Sequence, residues 1–224
     1  MTGKDGIFMA KASTLAKVGE LISRYPELET CRKELLAALE AICESYRGGH
    51  KLMACGNGGS ASDAEHIVGE LMKGVLLPRK LGEDMRRRLE EVCPEAAGYF
   101  MENLQGALPA ISLVNQVALN TAFANDQAPD LSFAQQILGM GEAGDVLVAI
   151  STSGNSANVV YAVQMGKAKG MKTIALTGKS GGRLKELADI CIRVPEEETY
   201  RIQEYHLPVY HMLCIGAENE FFGE

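Results

Sequence analysis

The 224-residue sequence lacks a basic excess: 22 Lys and Arg stand against 29 Asp and Glu, a formal net charge of −7. Nucleic acid usually needs a basic face, so this balance argues against it as the main partner. It leaves room for a local basic pocket around one phosphate. Paired-cysteine motifs are also missing. Cys31, Cys43, Cys55, Cys93, Cys191 and Cys214 are scattered without a CxxC pair, several of them in apolar surroundings. They read as reduced core residues of a cytoplasmic protein. The opening Met1-Thr2-Gly3-Lys4-Asp5-Gly6 carries no apolar stretch of the signal-peptide kind, and no later run is long enough to span a bilayer. No membrane partner is therefore expected. Internal repeats and low-complexity linkers are absent as well, so one domain is expected over 1–224.

What is present is a 46% hydrophobic content, enough for one full core, and two glycine- and hydroxyl-rich loops. Gly56-Asn57-Gly58-Gly59-Ser60 follows the apolar run 51–55. Ser151-Thr152-Ser153-Gly154-Asn155-Ser156 follows the apolar run 146–150. Each run reads as a buried strand and each loop leads into a helical pattern. Glycines allow the sharp turn, and hydroxyls with the free N–H groups of the next helix suit an oxyanion such as phosphate. Two such loops in one small domain point to a phosphorylated small molecule.

The remaining pattern is helical first and alternating afterwards. Helices are expected over 10–24 and 27–46, the first stopped by Pro26 and the second by Gly48-Gly49. Strands are expected at 51–55, 108–113, 146–150, 172–177 and 190–194. Helices fall between them at 62–73, 114–124, 131–140, 156–169 and 183–188. Alternation of this kind means an α/β fold, a parallel sheet covered by helices on both faces, with ligands beyond the carboxyl ends of the strands. A closing helix spans 200–222, where Pro208 either kinks it or starts a second helix. Residues 79–105 break the alternation with a charged helical run. They read either as a solvated hairpin or as a lid or subunit contact that brings Arg79, Lys80 or Arg86 to Arg88 near an anionic ligand.

Common nucleotide motifs do not fit. The first loop has the first glycines of GxGxxG but Ala61 at the last position, and Gly178-Lys179-Ser180 follows Thr173 where a P-loop needs glycine. Chemistry-bearing residues cluster elsewhere. Asp63, His66 and Glu70 recur at i, i+3 and i+7, so they line one helix face behind the first loop. The His66–Glu70 spacing suits two metal ligands or a carboxylate oriented by an imidazole. Gln203, His206 and His211 fall within the closing helix.

Cys55-Gly56-Asn57-Gly58-Gly59-Ser60 with Asp63, His66 and Glu70-Leu71, the run from Gly144 through Ser151-Thr152-Ser153-Gly154-Asn155-Ser156 to Val159, and Arg201-Ile202-Gln203-Glu204 with His206 and His211 together resemble the sugar-isomerase (SIS) domain. Within it they resemble the phosphoheptose isomerase family, over about 50–78 and 107–215. The resemblance implies a flavodoxin-like five-stranded parallel sheet between helical layers, with N-terminal helices before it. It implies a cytoplasmic homotetramer with sites between subunits. The implied reaction is an aldose–ketose isomerisation through an enediol, most directly sedoheptulose 7-phosphate to D-glycero-D-manno-heptose 7-phosphate. Glu70 and His211 then match the acid–base pair, and Ser151, Thr152, Ser153 and Ser156 the phosphate loop. Asn57, Gly58, Ser60, Asn125, Asp126 and Gln203 match the sugar contacts. His66, Glu70, Gln203 and His211 match the ligands of one zinc ion per site. The chain departs from the family pattern at Gly69, where a second glutamate is usual, at Tyr200 in place of an aspartate, and in the 79–105 insertion. The alternative is a non-catalytic phosphosugar binder or a replication-initiator-associated relative, which needs the loops but not the acid–base pair.

Overall fold

A computed structural model describes residues 10–223; the Met1 to Gly6 segment considered above lies outside them. Five strands form one wholly parallel sheet: β1 (Leu52–Cys55), β2 (Ala110–Ser112), β3 (Val146–Ile150), β4 (Lys172–Thr177) and β5 (Ile190–Arg193), in the order β2-β1-β3-β4-β5. β1 and β3 lie side by side, Leu52 opposite Val146 and Cys55 opposite Ala149. Every residue of both is buried. That is why each reads as a continuous apolar run rather than an alternating one: helices cover both faces of the sheet.

The helices are α1 (Ala12–Arg24), α2 (Arg32–Arg47), α3 (Gly59–Met72), α4 (Glu83–Val92), α5 (Pro94–Asn103), α6 (Val117–Asp126), α7 (Ser132–Met140), α8 (Ala157–Ala168), α9 (Leu184–Leu187) and α10 (Thr199–Phe222). Strand side chains alternate between two cores. Leu52, Ala54, Val148, Ile150, Ile174 and Leu176 pack with α1, α2, α3 and α10. Met53, Cys55, Leu147, Ala149 and Ala175 pack with α7 and α8. The chain therefore leaves β1 toward one face, through α3, and leaves β3 toward the other, through α8. The crevice between these neighbouring strands is the topological switch point of the sheet, where ligands bind in such folds. Both glycine- and hydroxyl-rich loops open into it.

Several expected boundaries move for local reasons. The second helix begins as a 3₁₀ turn, Pro26–Cys31, before α2. There Thr30 Oγ1 and Cys31 Sγ donate to the Glu27 and Leu28 carbonyls and compete with an α-helical ladder. α3 starts at Gly59, three residues early, because Gly58 at φ +56° turns the chain straight off β1. β2, an edge strand, shortens to Ala110–Ser112, and the expected 183–188 helix is the single turn α9. α10 runs unbroken through Pro208, so no second helix begins there.

The 79–105 segment is a helical hairpin. α4 has no buried residue and α5 only Ala97. Arg86 and Arg87 pair within α4 with Glu83 and Asp84, and Arg88 is exposed on the same helix. Arg79 overturns the expectation of an anion-seeking arginine: its side chain is fully buried and pairs with Glu218 of α10 at 2.8 Å. The cysteines are free; Cys31, Cys43, Cys55 and Cys214 are buried and Cys93 and Cys191 half-buried. Burial pushes the Cys43 and Cys55 thiols up to about 12, so both stay protonated and inert.

Candidate active site

α3 and α10 pack side by side and run in the same direction, Gly59 lying against Gln203 and Ile67 against Cys214. That pairing brings the sequence-distant candidates together. Glu70 Oε1 lies 3.3 Å from His66 Nε2, and His66 Nε2 lies 3.4 Å from His211 Nε2. The two imidazoles meet edge to face, ring centroids 4.9 Å apart at 90°. Behind His66, its Nδ1 is 2.9 Å from the Tyr210 hydroxyl, so the ring is held with Nε2 turned toward Glu70 and His211. Lys73 Nζ approaches the Glu70 carboxylate at 3.6 Å.

Burial, together with the neighbouring His66 ring, pushes the His211 imidazole below its usual range, while the Glu70 carboxylate acts in the opposite sense. His211 is thus neutral near pH 7 and able to accept a proton. Asp63 is half-buried beside Tyr210, and burial raises its carboxyl above the usual range. It backs the cluster without joining it. Glu70, His66 and His211 offer one carboxylate oxygen and two imidazole nitrogens within 4.8 Å of one another, a mixed N/O donor set. Gln203 stands on α10 eight residues before His211, and its amide lies against the Gly59 backbone at the start of α3, where a Cβ would meet Nε2 at 2.5 Å.

The two loops meet at the switch point. Asn57 and Asn158 exchange a reciprocal pair of amide hydrogen bonds, 2.9 and 2.8 Å, which ties the first loop to the first turn of α8. In the second loop Ser151 and Ser156 hydroxyls touch at 3.0 Å, and Ser153 Oγ accepts the Asn155 N–H. The α8 N-cap Ser156 makes no side-chain capping bond; in the first turn the Val159 N–H donates to Asn158 Oδ1 at 3.0 Å, and the Ala157 and Asn158 N–H groups are left to face an anion. Gly154 sits directly on Gly181, where a Cβ would meet the Gly181 carbonyl oxygen at 2.0 Å, so the Gly181-Gly182 turn props the loop from behind. Ser60 and Ser151 are buried and Thr152 half-buried, whereas Asn57, Gly58 and Ser153 face solvent.

Asn125 and Asp126 end α6 rather than following it. Their side chains bond each other at 2.8 Å, and among the described residues no hydrogen bond joins them to either loop. His206 is fully buried against the Thr177 main chain, a packing residue and not a member of the cluster. Asn158 and Tyr210 carry roles that sequence reasoning missed. Asn158 lies inside the serine-rich motif, but its partner is 101 residues away. Tyr210 adjoins His211, yet only the packing of α10 on α3 shows that it supports His66.

The SIS domain family profile matches residues 15–86 and 86–178. The chain is 40% identical over 195 residues to a phosphoheptose isomerase of Rhodospirillum rubrum, covering 87% of this chain and 90% of that protein. To a phosphoheptose isomerase of Thiobacillus denitrificans it is 42% identical over 185 residues, 81% of each. The solved structure of a phosphoheptose isomerase from Neisseria gonorrhoeae matches with a TM-score of 0.70 at 33% identity, covering 92% of this chain and 97% of that one.

Proposed function

The chain belongs to the phosphoheptose isomerase family of SIS-domain enzymes, a phosphosugar isomerase, and from that premise we propose that it interconverts sedoheptulose 7-phosphate and D-glycero-D-manno-heptose 7-phosphate through an enediol. The observation that carries this reading is the convergence of Glu70 and His211 on His66 from two helices 145 residues apart in sequence. A purely binding role would use the loops and leave that cluster without a task.

The chemistry follows from the residue types. A ketose becomes an aldose when a base takes a proton from C1, beside the C2 carbonyl, and returns it to C2, while a second proton moves between the two oxygens. Glu70 is the carbon acid's base, and His211, neutral and half-buried, carries the oxygen proton. Loop hydroxyls from Ser151, Thr152, Ser153 and Ser156 and the α8 N-terminus hold the phosphate, which fixes the reacting carbons at a distance from it. Asn57, Gly58 and Ser60 border the sugar. His66, Glu70 and His211 offer ligands of the kinds that would hold one zinc ion, with Gln203 as the fourth ligand that the family resemblance implies. Such an ion would supply Lewis-acid charge for the enediolate oxygen.

A homotetramer with shared sites accounts for two further features. Ser60 and Glu70 are ten residues apart on α3, about 15 Å, so loops and acid–base cluster are well separated in one chain. α6 is apolar yet has no buried residue, with Val117 68% exposed, and it ends in Asn125 and Asp126. A neighbouring subunit would cover α6 and bring that pair to a sugar.

Turnover of sedoheptulose 7-phosphate by variants tests the assignment. Glu70→Gln and His211→Asn should each lower kcat by about 100-fold or more, the usual scale for general acid–base groups. His206→Leu, in the packed interior, should keep most of the activity per folded molecule. Normal turnover in Glu70→Gln would remove the carboxylate assignment and shift attention to Asp63.

A further inference from the structure

Arg79 is the one non-glycine residue with a positive φ among the described residues, +38°. Strain of this kind persists where the surroundings over-determine it and tends to gather at functional positions. Its surroundings do over-determine it. The guanidinium donates from Nε to Glu218 Oε1 at 2.8 Å, from one terminal nitrogen to the Leu71 carbonyl at 2.6 Å, and from the other to the Glu70 carbonyl at 3.1 Å. Those carbonyls belong to the last turn of α3, whose final C=O groups have no partner within the helix. Glu218, itself buried, also accepts the N–H groups of Val75, Leu76 and Leu77 at 2.7, 2.8 and 3.1 Å. The Phe222 ring covers the guanidinium at 5.0 Å.

The same residue closes the root of the hairpin. The Arg79 carbonyl accepts the Gly106 N–H at 2.6 Å, so the chain entering α4 and the chain leaving α5 meet there. Nearby, Gln105 accepts the Gly74 N–H at 2.6 Å and Leu108 donates to the Leu71 carbonyl at 3.0 Å. One buried fork therefore joins the end of α3, the end of α10 and both ends of the hairpin.

We propose that Arg79 is a positioning residue for the reaction: through the last turn of α3 it sets where the Glu70 carboxylate stands, and it ties that placement to the root of the α4–α5 hairpin. The proposal rests on the reading of Glu70 as the catalytic carboxylate. Lysine would keep the charge but could not reach Glu218 and two carbonyls with one planar fork. A carboxylate displaced by about 1 Å loses up to about 100-fold in rate, while distant phosphate contacts are untouched.

The test compares Arg79→Lys and Glu218→Gln with Arg47→Gln, which breaks a second ion pair to α10, between the exposed Arg47 and the buried Glu220. Kinetics with sedoheptulose 7-phosphate and hydrogen exchange are read on each folded protein. Arg79→Lys should lower kcat about tenfold or more with KM within about threefold. It should also raise exchange in 66–73 and 104–108 together. Glu218→Gln, which leaves the guanidinium on the two carbonyls, should show the same pattern more weakly, and it serves if Arg79→Lys does not fold. Arg47→Gln should lower Tm without changing kcat. Wild-type kcat in Arg79→Lys, unchanged exchange at 66–73, or an equal kcat loss in Arg47→Gln would overturn the proposal. Full activity in Glu70→Gln would instead overturn the reading beneath it, whatever Arg79→Lys shows.

Discussion

His206 and His211 stand five residues apart on α10 and have opposite fates. His211 reaches the cleft between α3 and α10, whereas burial depresses the His206 ring from its ordinary 6.5 to about 4. The depressed ring makes stability depend on pH. Below about pH 6.5 the unfolded chain binds a proton at His206 that the folded chain refuses, so stability falls as pH drops toward 4, by roughly 3 kcal/mol in all. Glu218, held below its usual range by the Val75 and Leu76 N–H groups and Arg79, adds a slope of the same sign at lower pH. Urea unfolding of wild type and His206→Leu at pH 7 and pH 4.5 separates the two. The variant should lose distinctly less stability across that interval; an identical loss would mean that His206 titrates normally in the fold. Residue roles of this kind are only partly legible in sequence. Spacing showed that Asp63, His66 and Glu70 share a face, because helical periodicity is local. It gave no sign that Arg79 is buried, since its partner Glu218 is 139 residues away.

At the level of elements, the switch point between β1 and β3 explains why two loops 95 residues apart in sequence meet in one crevice. β1 and β3 are adjacent, and Asn57 and Asn158 lock their loops together. Replacing Ser153 and Ser156 by alanine should weaken sugar-phosphate binding by about 0.5–1.5 kcal/mol for each hydroxyl, somewhat more toward a charged acceptor. Calorimetry should show this with Tm nearly unchanged, because Ser153 is exposed and Ser156 half-buried. Unchanged affinity in the double variant would place the phosphate elsewhere. The loops and central strands were readable because a buried parallel strand is a short apolar run and glycine marks its end. Helix limits were less so. A positive-φ glycine starts α3 without the usual Ser or Asp cap, and hydroxyl and thiol bonds to i−3 carbonyls turn 26–31 into a 3₁₀ helix. Pro208 left two readings open, and the single helix is the one found, because Ile202, His206, Val209 and Tyr210 bury α10 on both sides of it and packing outweighs one lost hydrogen bond.

For the molecule as a whole, one side of the sheet carries the Glu70–His66–His211 cluster between α3 and α10, and the switch point brings the two glycine- and hydroxyl-rich loops together. α6 and the α4–α5 hairpin present apolar side chains to solvent, among them Val92, Tyr99 and Val117 at 82%, 68% and 68% exposure. The parallel sheet follows from the alternating sequence, but the exposed faces do not, since nothing in a hydrophobic pattern says whether its partner is the same chain. Such an arrangement is proposed to move a proton between adjacent carbons of a heptose phosphate. It is tested most directly by incubating the wild-type protein with sedoheptulose 7-phosphate in deuterated water and following both sugars by NMR. A growing aldose phosphate with deuterium at C2 should appear, and deuterium should enter C1 of the remaining ketose. No aldose and no exchange at C1, from folded protein at neutral pH, would contradict it.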